Sequence, residues 1–405
     1  MNKLIQLMAG GILSGLMIGC GTQPLAPHAS SHSQPRPHHQ AAQPLMLSRS
    51  SISQQLTHVS SSPTGATWLW GPSAIWYRPT ATASWRSIAP STQPIDDGWI
   101  VGQQAWFAIQ AKDNSFVLYH TGDGGSQWQK TPPLAGVPVG LSWPTRSTGF
   151  LLTTNGMYTS YHATLWETTT GGVSWKPTPV SISVTGRGGY PTGVAFASPM
   201  SGWMTGSSLA IGTAWLFHTT DKGHRWVPEP LPLPPHTRGF SSLLSSKGVC
   251  HQILIPALLF TDQGNGLATV LYTRSPVRGW QYSSLIPLSQ TPILSAWDFV
   301  STQSVWVATV NTIIQPVPQP TIRPTAPRTQ PKEPILVWHS VDGGTHWTST
   351  QPAQTTGLQG LSISMSSSRH GYLILTKTGS TDVLYTHDGG HRWQQLFIRS
   401  QSAEH

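Results

Sequence analysis

The chain has 405 residues, of which only 9% are charged, with 19 tryptophans, 39 glycines, 35 prolines and a formal net charge of +9. So few charges exclude a charged disordered chain or a charge-laced helical protein, and no nucleotide-binding glycine loop, zinc spacing or helical heptad is present. The length suffices for a large core, and an all-β array of this size can form one domain.

Met1-Asn2-Lys3 precede an apolar stretch from Leu4 to Gly19, shorter than the about 18–20 residues of a spanning helix. A short basic start, an apolar core and the small Gly19 mark residues 1–20 as an export signal. Leu16-Met17-Ile18-Gly19-Cys20 resembles the bacterial lipobox, with Met17 where Leu is more usual. That resemblance implies diacylation of the Cys20 thiol and cleavage before it; an ordinary signal with an incidental Cys is the alternative. Residues 21–54 are dense in Pro, Ser, Gln, Ala and His and have no periodic apolar face, so they cannot repay ordering entropy. They are expected to be a disordered tether. His28, His32, His38 and His39 lie in it without ordered ligand geometry, so no metal or other cofactor is expected.

From residue 55 a repeat takes over and runs to about residue 400. Ala74-Ile75-Trp76-Tyr77 leads into a worn copy, Arg78 to Trp85. Phe116-Val117-Leu118-Tyr119 precedes a full one, Thr121-Gly122-Asp123-Gly124-Gly125-Ser126-Gln127-Trp128. Thr168 to Trp175 keeps Gly172 and Trp175 but carries Thr170 where the Asp belongs. Trp215-Leu216-Phe217 leads into Thr219-Thr220-Asp221-Lys222-Gly223-His224-Arg225-Trp226, and Thr273 to Trp280 is a second worn copy. Two full copies close the series, Ser340-Val341-Asp342-Gly343-Gly344-Thr345-His346-Trp347 and Thr386-His387-Asp388-Gly389-Gly390-His391-Arg392-Trp393.

The shared form is a hydroxyl residue, Asp two positions on, Gly two further and Trp three beyond that. An Asp side chain can accept backbone N–H groups of a tight turn, the hydroxyl can close the same turn, and the Gly allows a positive φ. The Trp covers the bend with a large apolar face. Strand-forming runs before each copy make it a β-hairpin bend. The tryptophans at 85, 128, 175, 226, 280, 347 and 393 are 43, 47, 51, 54, 67 and 46 residues apart. Seven strand-rich units with a fixed turn predict an all-β, seven-bladed β-propeller. In blade seven the four strands, a to d from the axis outward, read as Leu361–Met365, Gly371–Leu375, Val383–Tyr385 and Trp393–Phe397. Blade one fits from Leu56 through Ser87, so every blade can be contiguous. Cys250 falls in an expected strand b of blade five, Val249 to Leu254, as a buried thiol without a disulfide partner.

The octapeptide resembles the Asp-box, or BNR repeat, of sialidase-like and sortilin-like propellers. With the strands Gly98-Trp99-Ile100-Val101-Gly102 and Gly202-Trp203-Met204-Thr205-Gly206, the spacing resembles photosystem II stability/assembly factor-like propellers in particular. The resemblance implies turns between strands c and d braced by Thr121, Asp123, Gly125 and Trp128, by Thr168, Gly172 and Trp175, and by Thr219, Asp221, Gly223 and Trp226. It implies the same of Ser340, Asp342, Gly344 and Trp347, and of Thr386, Asp388, Gly390 and Trp393. The box is a structural turn in families of unrelated activity, so it specifies fold rather than function.

Turns c–d lie on one face of such a disc, whereas b–c and d–a loops lie on the other, where propeller ligands usually meet. The chain's irregular segments fall on that second face: a Pro-rich insertion at 314–334 between strands b and c of blade six, Pro228 to Pro235 entering blade five, and Thr185 to Tyr190 entering blade four. Arg187, Arg238, Arg323, Arg328 and Lys332 project there as the candidate partner-binding set, with simple solubilising charge as the alternative. The basic balance favours anionic partners, whether lipid headgroups, surface wall polymers or acidic protein surfaces, and nothing points to nucleic acid. Scarce carboxylates also suit an acidic surrounding.

Hydrolysis of a glycoside needs two carboxylates flanking the bond at about 5–9.5 Å. Asp96, Asp97, Asp113, Glu229, Asp262, Glu333 and Asp382 are the loop-face possibilities, with Asp298 toward the channel on strand a. None has a catalytic neighbourhood, and the nearest match to a sialidase's first substrate-holding arginine, Tyr77-Arg78-Pro79, lies in a worn box. His120, His218, His339, His224, His346 and His391 recur once per blade beside the boxes, which favours repetition over coordination of one ion. The expectation is therefore a monomeric, exported, membrane-anchored, non-catalytic scaffold. The family resemblance implies assembly or stabilisation of another protein at the outside of the plasma membrane. A wall-binding module or a sialidase-like glycoside hydrolase is the alternative.

Overall fold

In a computed structural model the described residues are 56–396, save 102, 156–161, 181–188, 209–211, 250–251, 263–265, 276, 289–293, 311–332 and 378. They form strands and connections without a helix. Seven antiparallel sheets follow one another along the chain, over 58–87, 95–135, 137–179, 189–228, 237–288, 295–355 and 358–395. Five are simple four-stranded meanders; in the second Leu134–Ala135 returns to pair with Ser115–Thr121, and in the fifth Lys247–Val249 and Ile286–Leu288 add to the edges of Gln252–Thr261 and Leu267–Ser275. Blade six runs Ser295–Phe299, Val305–Val310, Glu333–Ser340 and Thr348–Thr355.

Burial falls from the axis outward. Strand b of blade six is buried at every residue of Val305–Val310, because both faces of the sheet pack against other sheets. Strand c alternates, as in Ser115–Thr121, and the two-residue outer strands Arg86–Ser87 and Gln394–Gln395 are exposed. The apolar core divides into seven clusters, each between two consecutive blades. The last joins Leu56, Val59, Leu69 and Trp85 of blade one to Tyr372, Ile374 and Val383 of blade seven, so the wheel closes. Ser362 and Ser364 add hydrogen bonds from Val59 N (3.1 Å) and Ser61 N (2.9 Å). No strand of one sheet is borrowed by another, as the contiguous reading expected.

Two boundaries differ from expectation. Val249–Leu254 is not one strand: Lys247–Val249 pairs antiparallel with the start of Gln252–Thr261, so these are two strands. Cys250 itself lies outside the described residues. Pro334 belongs to strand c of blade six rather than to the insertion, because Pro334 sits opposite Gln354 in the ladder; residues 311–332 lie outside the described residues.

Candidate functional site

The recurring turns sit between strands c and d in every blade. In blade two the Thr121 hydroxyl donates to Asp123 Oδ1 (2.8 Å) and accepts from Gly125 N (2.9 Å), while Asp123 Oδ1 accepts from Gln127 N (2.9 Å). Blades four, six and seven repeat this with Thr219 and Asp221, Ser340 and Asp342, and Thr386 and Asp388. Two successive residues are left-handed in each, such as Gly343 (φ 72°) and Gly344 (φ 94°), so the position before the signature glycine is constrained too. Blade four holds Lys222 there at φ 63°. In blade three Thr170 takes the part of the Asp, its hydroxyl accepting from Ser174 N at 3.0 Å. Thr170→Asp should therefore stabilise the protein by about 0.5–1 kcal/mol by making that bond charge-assisted. Unfolding in urea at neutral pH reads the gain.

Each turn is also a joint between blades. Gly389 N donates to Arg369 O (2.9 Å) and Gly343 N to Gln303 O (2.9 Å), which pins the turn to the a–b loop of its own blade and fixes both on one face. A Cβ on Gly390 would come within 3.2 Å of Trp306 in blade six, and one on Gly172 within 3.0 Å of Trp106 in blade two. Strand-b tryptophans stack on the histidine that precedes their own blade's turn: Trp106 on His120 (4.6 Å), Trp203 on His218 (4.3 Å) and Trp306 on His339 (3.7 Å). These three histidines are thus cross-strand packing partners, one per blade. No cluster of three or more metal-binding side chains occurs among the described residues.

The worn turns of blades one and five use a different wedge. Arg78 is buried between Trp85 of its own blade (4.8 Å) and Tyr372 of blade seven (5.6 Å), and donates to the Tyr372 hydroxyl. Arg274 lies between Trp203 of blade four (5.1 Å) and Trp280 of its own blade (6.0 Å). An arginine plane fills the gap that blades three and seven close with a glycine against the neighbour's indole. Arg78 is therefore an interblade residue and does not reach the central channel.

Near the axis, a strand-a side chain of one blade accepts the inward N–H of the next. Ser142 takes Phe196 N (2.8 Å) and Ser364 takes Ser61 N (2.9 Å). Blade six has Asp298 in this place, which takes Met365 N (2.6 Å) and faces Lys247 Nζ of blade five at 3.6 Å. Asp298 is 1% exposed and Lys247 6%. Burial raises the pKa of Asp298 and lowers that of Lys247, each opposed by the other's charge. Lys247 was not singled out from sequence, since its apposition depends on the extra strand in blade five.

The nominated carboxylates do not converge. Asp96 accepts from Gln110 (2.6 Å), Asp382 pairs with Lys377 and Asp262 stands 3.4 Å from His236. Glu229 is held between blades by Trp203 Nε1 (2.5 Å) and Arg274 (3.2 Å). Asp97 is 4% exposed and accepts from Gly98 N (2.7 Å). Asp113 sits in a left-handed turn of blade two (φ 59°), and Glu333 begins strand c of blade six. Of the five nominated cations only Arg238 is described. It is exposed at the start of strand a in blade five, on the loop face, with Nε donating to Thr261 O (2.9 Å). Arg187, Arg323, Arg328 and Lys332 lie outside the described residues, as does Cys20.

Titration works in two opposite directions. Burial pushes the Asp97 carboxyl up to about 8. His58 is only partly exposed, stacks on Trp70, and is lowered by burial to about 4; burial lowers His120, His218 and His339 as well. Below about pH 6.5 the unfolded chain takes protons that these folded imidazoles refuse, so stability falls with acidification. Asp97 retains a proton in the fold that the unfolded chain loses above about pH 3.9, so its contribution declines as pH rises to about 8. Burial raises Asp96 and Asp298 too, so carboxyls and imidazoles act against each other in the acid range. The imidazole share is isolated by His58→Gln, whose unfolding midpoint should lose less than the parent's between pH 7 and pH 4. A variant with the parent's pH profile would overturn this.

No protein-family model matches the chain, and no curated protein matches it. A GH74 enzyme of Niastella koreensis is similar at TM-score 0.55 and 13% identity, over 84% of this chain and 53% of that one. The chain thus spans about half the length of that enzyme. YCF48 from Cyanidioschyzon merolae is similar at TM-score 0.49 and 15% identity, over 83% of this chain and 96% of that one. The Hadza microbial sialidase Hz136 is similar at TM-score 0.42 and 10% identity, over 72% and 68%. At 13% identity the likeness to the GH74 enzyme is one of fold alone, and the seven sheets make that fold a seven-bladed β-propeller.

Proposed function

We propose that the chain is an exported, lipid-anchored, non-catalytic propeller that holds a protein or other anionic partner at the cell surface, in the assembly or stabilisation of a complex. The observation that carries this reading is the employment of the carboxylates. Glu229 is locked between two blades, the turn Asp side chains are spent on their own backbones, and Asp96, Asp262 and Asp382 are each engaged on a different blade. A hydrolase would bring two of them to one bond. Strand-borne aromatic packing supplies rigidity without a reacting group, which suits a docking platform.

The lipid anchor is carried by Cys20 and tested by Cys20→Ser. The variant should lose incorporation of labelled palmitate and leave the membrane fraction. Docking is tested by recovery of partners from native membranes with the chain and with a form in which Arg187, Arg238, Arg323 and Arg328 are Ala. Loss of one discrete partner supports the loop-face cations; an unchanged set removes them.

A further inference from the structure

Five arginines rise from the face that bears the turns: Arg146, Arg225, Arg278, Arg369 and Arg392, all exposed. Among the described residues none of them forms an ion pair. The acids of this face are already engaged. Backbone N–H groups of Gln127, Arg225, His346 and Arg392 hold the Asp123, Asp221, Asp342 and Asp388 carboxyls below the usual range, and Glu167 lies 3.7 Å from Lys222. The carboxylates are bound by the turns, whereas the guanidinium groups stand exposed.

The same face carries the most exposed large apolar side chains among the described residues: Val277 (93%), Val341 (71%), Val173 (62%) and Met200 (47%). Val277 precedes Arg278 in blade five. Met200 O accepts from Lys222 N in blade four (3.1 Å), and Val173 shares a turn with Gly171, whose N–H binds Ser147 O beside Arg146. Three consecutive blades therefore present an apolar tip with a cation next to it.

We propose that the turn face docks on a membrane surface of anionic phospholipid, with the arginines taking headgroup phosphates and the apolar tips entering the headgroup layer. Each tip stands on its own rigid turn, one per blade. Tips so separated cannot merge into the contiguous apolar centre that a protein interface needs, but each can enter a fluid interface singly. A soluble polyanion would use the arginines and leave the apolar tips in water. Interfacial binding uses both, through apolar burial and attraction to anionic lipid. This docking is independent of the Cys20 anchor and of any partner on the loop face.

The test is co-sedimentation of the full chain, with Cys20→Ser in every arm, with vesicles of phosphatidylcholine alone or mixed with phosphatidylglycerol. The expected result is binding that increases with phosphatidylglycerol and weakens with salt. It should fall more than tenfold in Arg146→Gln/Arg225→Gln/Arg278→Gln and severalfold in Val173→Ser/Val277→Ser/Val341→Ser, but not in the loop-face control Lys112→Gln. Circular dichroism confirms that the exposed substitutions leave the fold intact. The proposal is overturned if phosphatidylglycerol adds nothing, if Lys112→Gln loses as much as the arginine variant, or if the valine variant binds unchanged, which would assign the face to a soluble polyanion. Loss of the loop-face partner leaves this result untouched, and the reverse also holds.

Discussion

Asp298→Ala should destabilise the protein by about 3–5 kcal/mol, the cost of leaving a buried charge without its counterpart. Lys247 would stay in the interior with no anion, and Met365 N would lose its acceptor. The double variant Lys247→Met/Asp298→Ser should recover most of that loss. It removes both charges and restores the serine that Ser142 and Ser364 supply at the matching place in blades three and seven. Unfolding midpoints of the two singles and the double measure the coupling. A double as unstable as Asp298→Ala would mean that the ion pair is not what the channel depends on.

Trp306→Ala should cost about 3–5 kcal/mol, the usual loss for emptying a buried indole site. Trp306 is 1% exposed, supports Gly390 of blade seven and stacks on His339 of its own blade, so the cavity would open a joint rather than a single sheet. A local signature should accompany the global loss. Burial now holds the His339 pKa below its ordinary value, and the opened site should let it rise, visible in an imidazole titration by NMR. Trp393→Ala, at the partly exposed outer end of the same joint, should cost less. An unshifted His339 alongside a large stability loss would show that the stack does not shield the ring.

The bends were legible because their chemistry is local. A hydroxyl, an Asp and a glycine at fixed offsets, as in Thr121, Asp123 and Gly125, define hydrogen bonds within one turn, and seven tryptophans then count the blades. What the repeat leans on was not legible, because it belongs to the next blade. Trp306 meets Gly390, and Trp106 meets Gly172, across spacings that sequence periodicity treats as unrelated. Arg78 and Arg274 read as erosion of the motif, yet they fill the volume that the motif otherwise closes. The loop-face nominations followed irregular composition, which located the segments and left the exposed arginines of the turn face unremarked as variable positions of a structural motif.

Blades one and seven meet only through side chains and a few serine hydroxyls, since each is woven from its own continuous stretch. The seam is therefore held by the same kind of joint as every other boundary in the circle, and nothing topological distinguishes the junction of blades one and seven. A permuted gene, cut between two other blades and fused across the present ends by a flexible spacer, should still yield the native wheel. A mechanical load applied to the two ends should open this seam before any blade unravels.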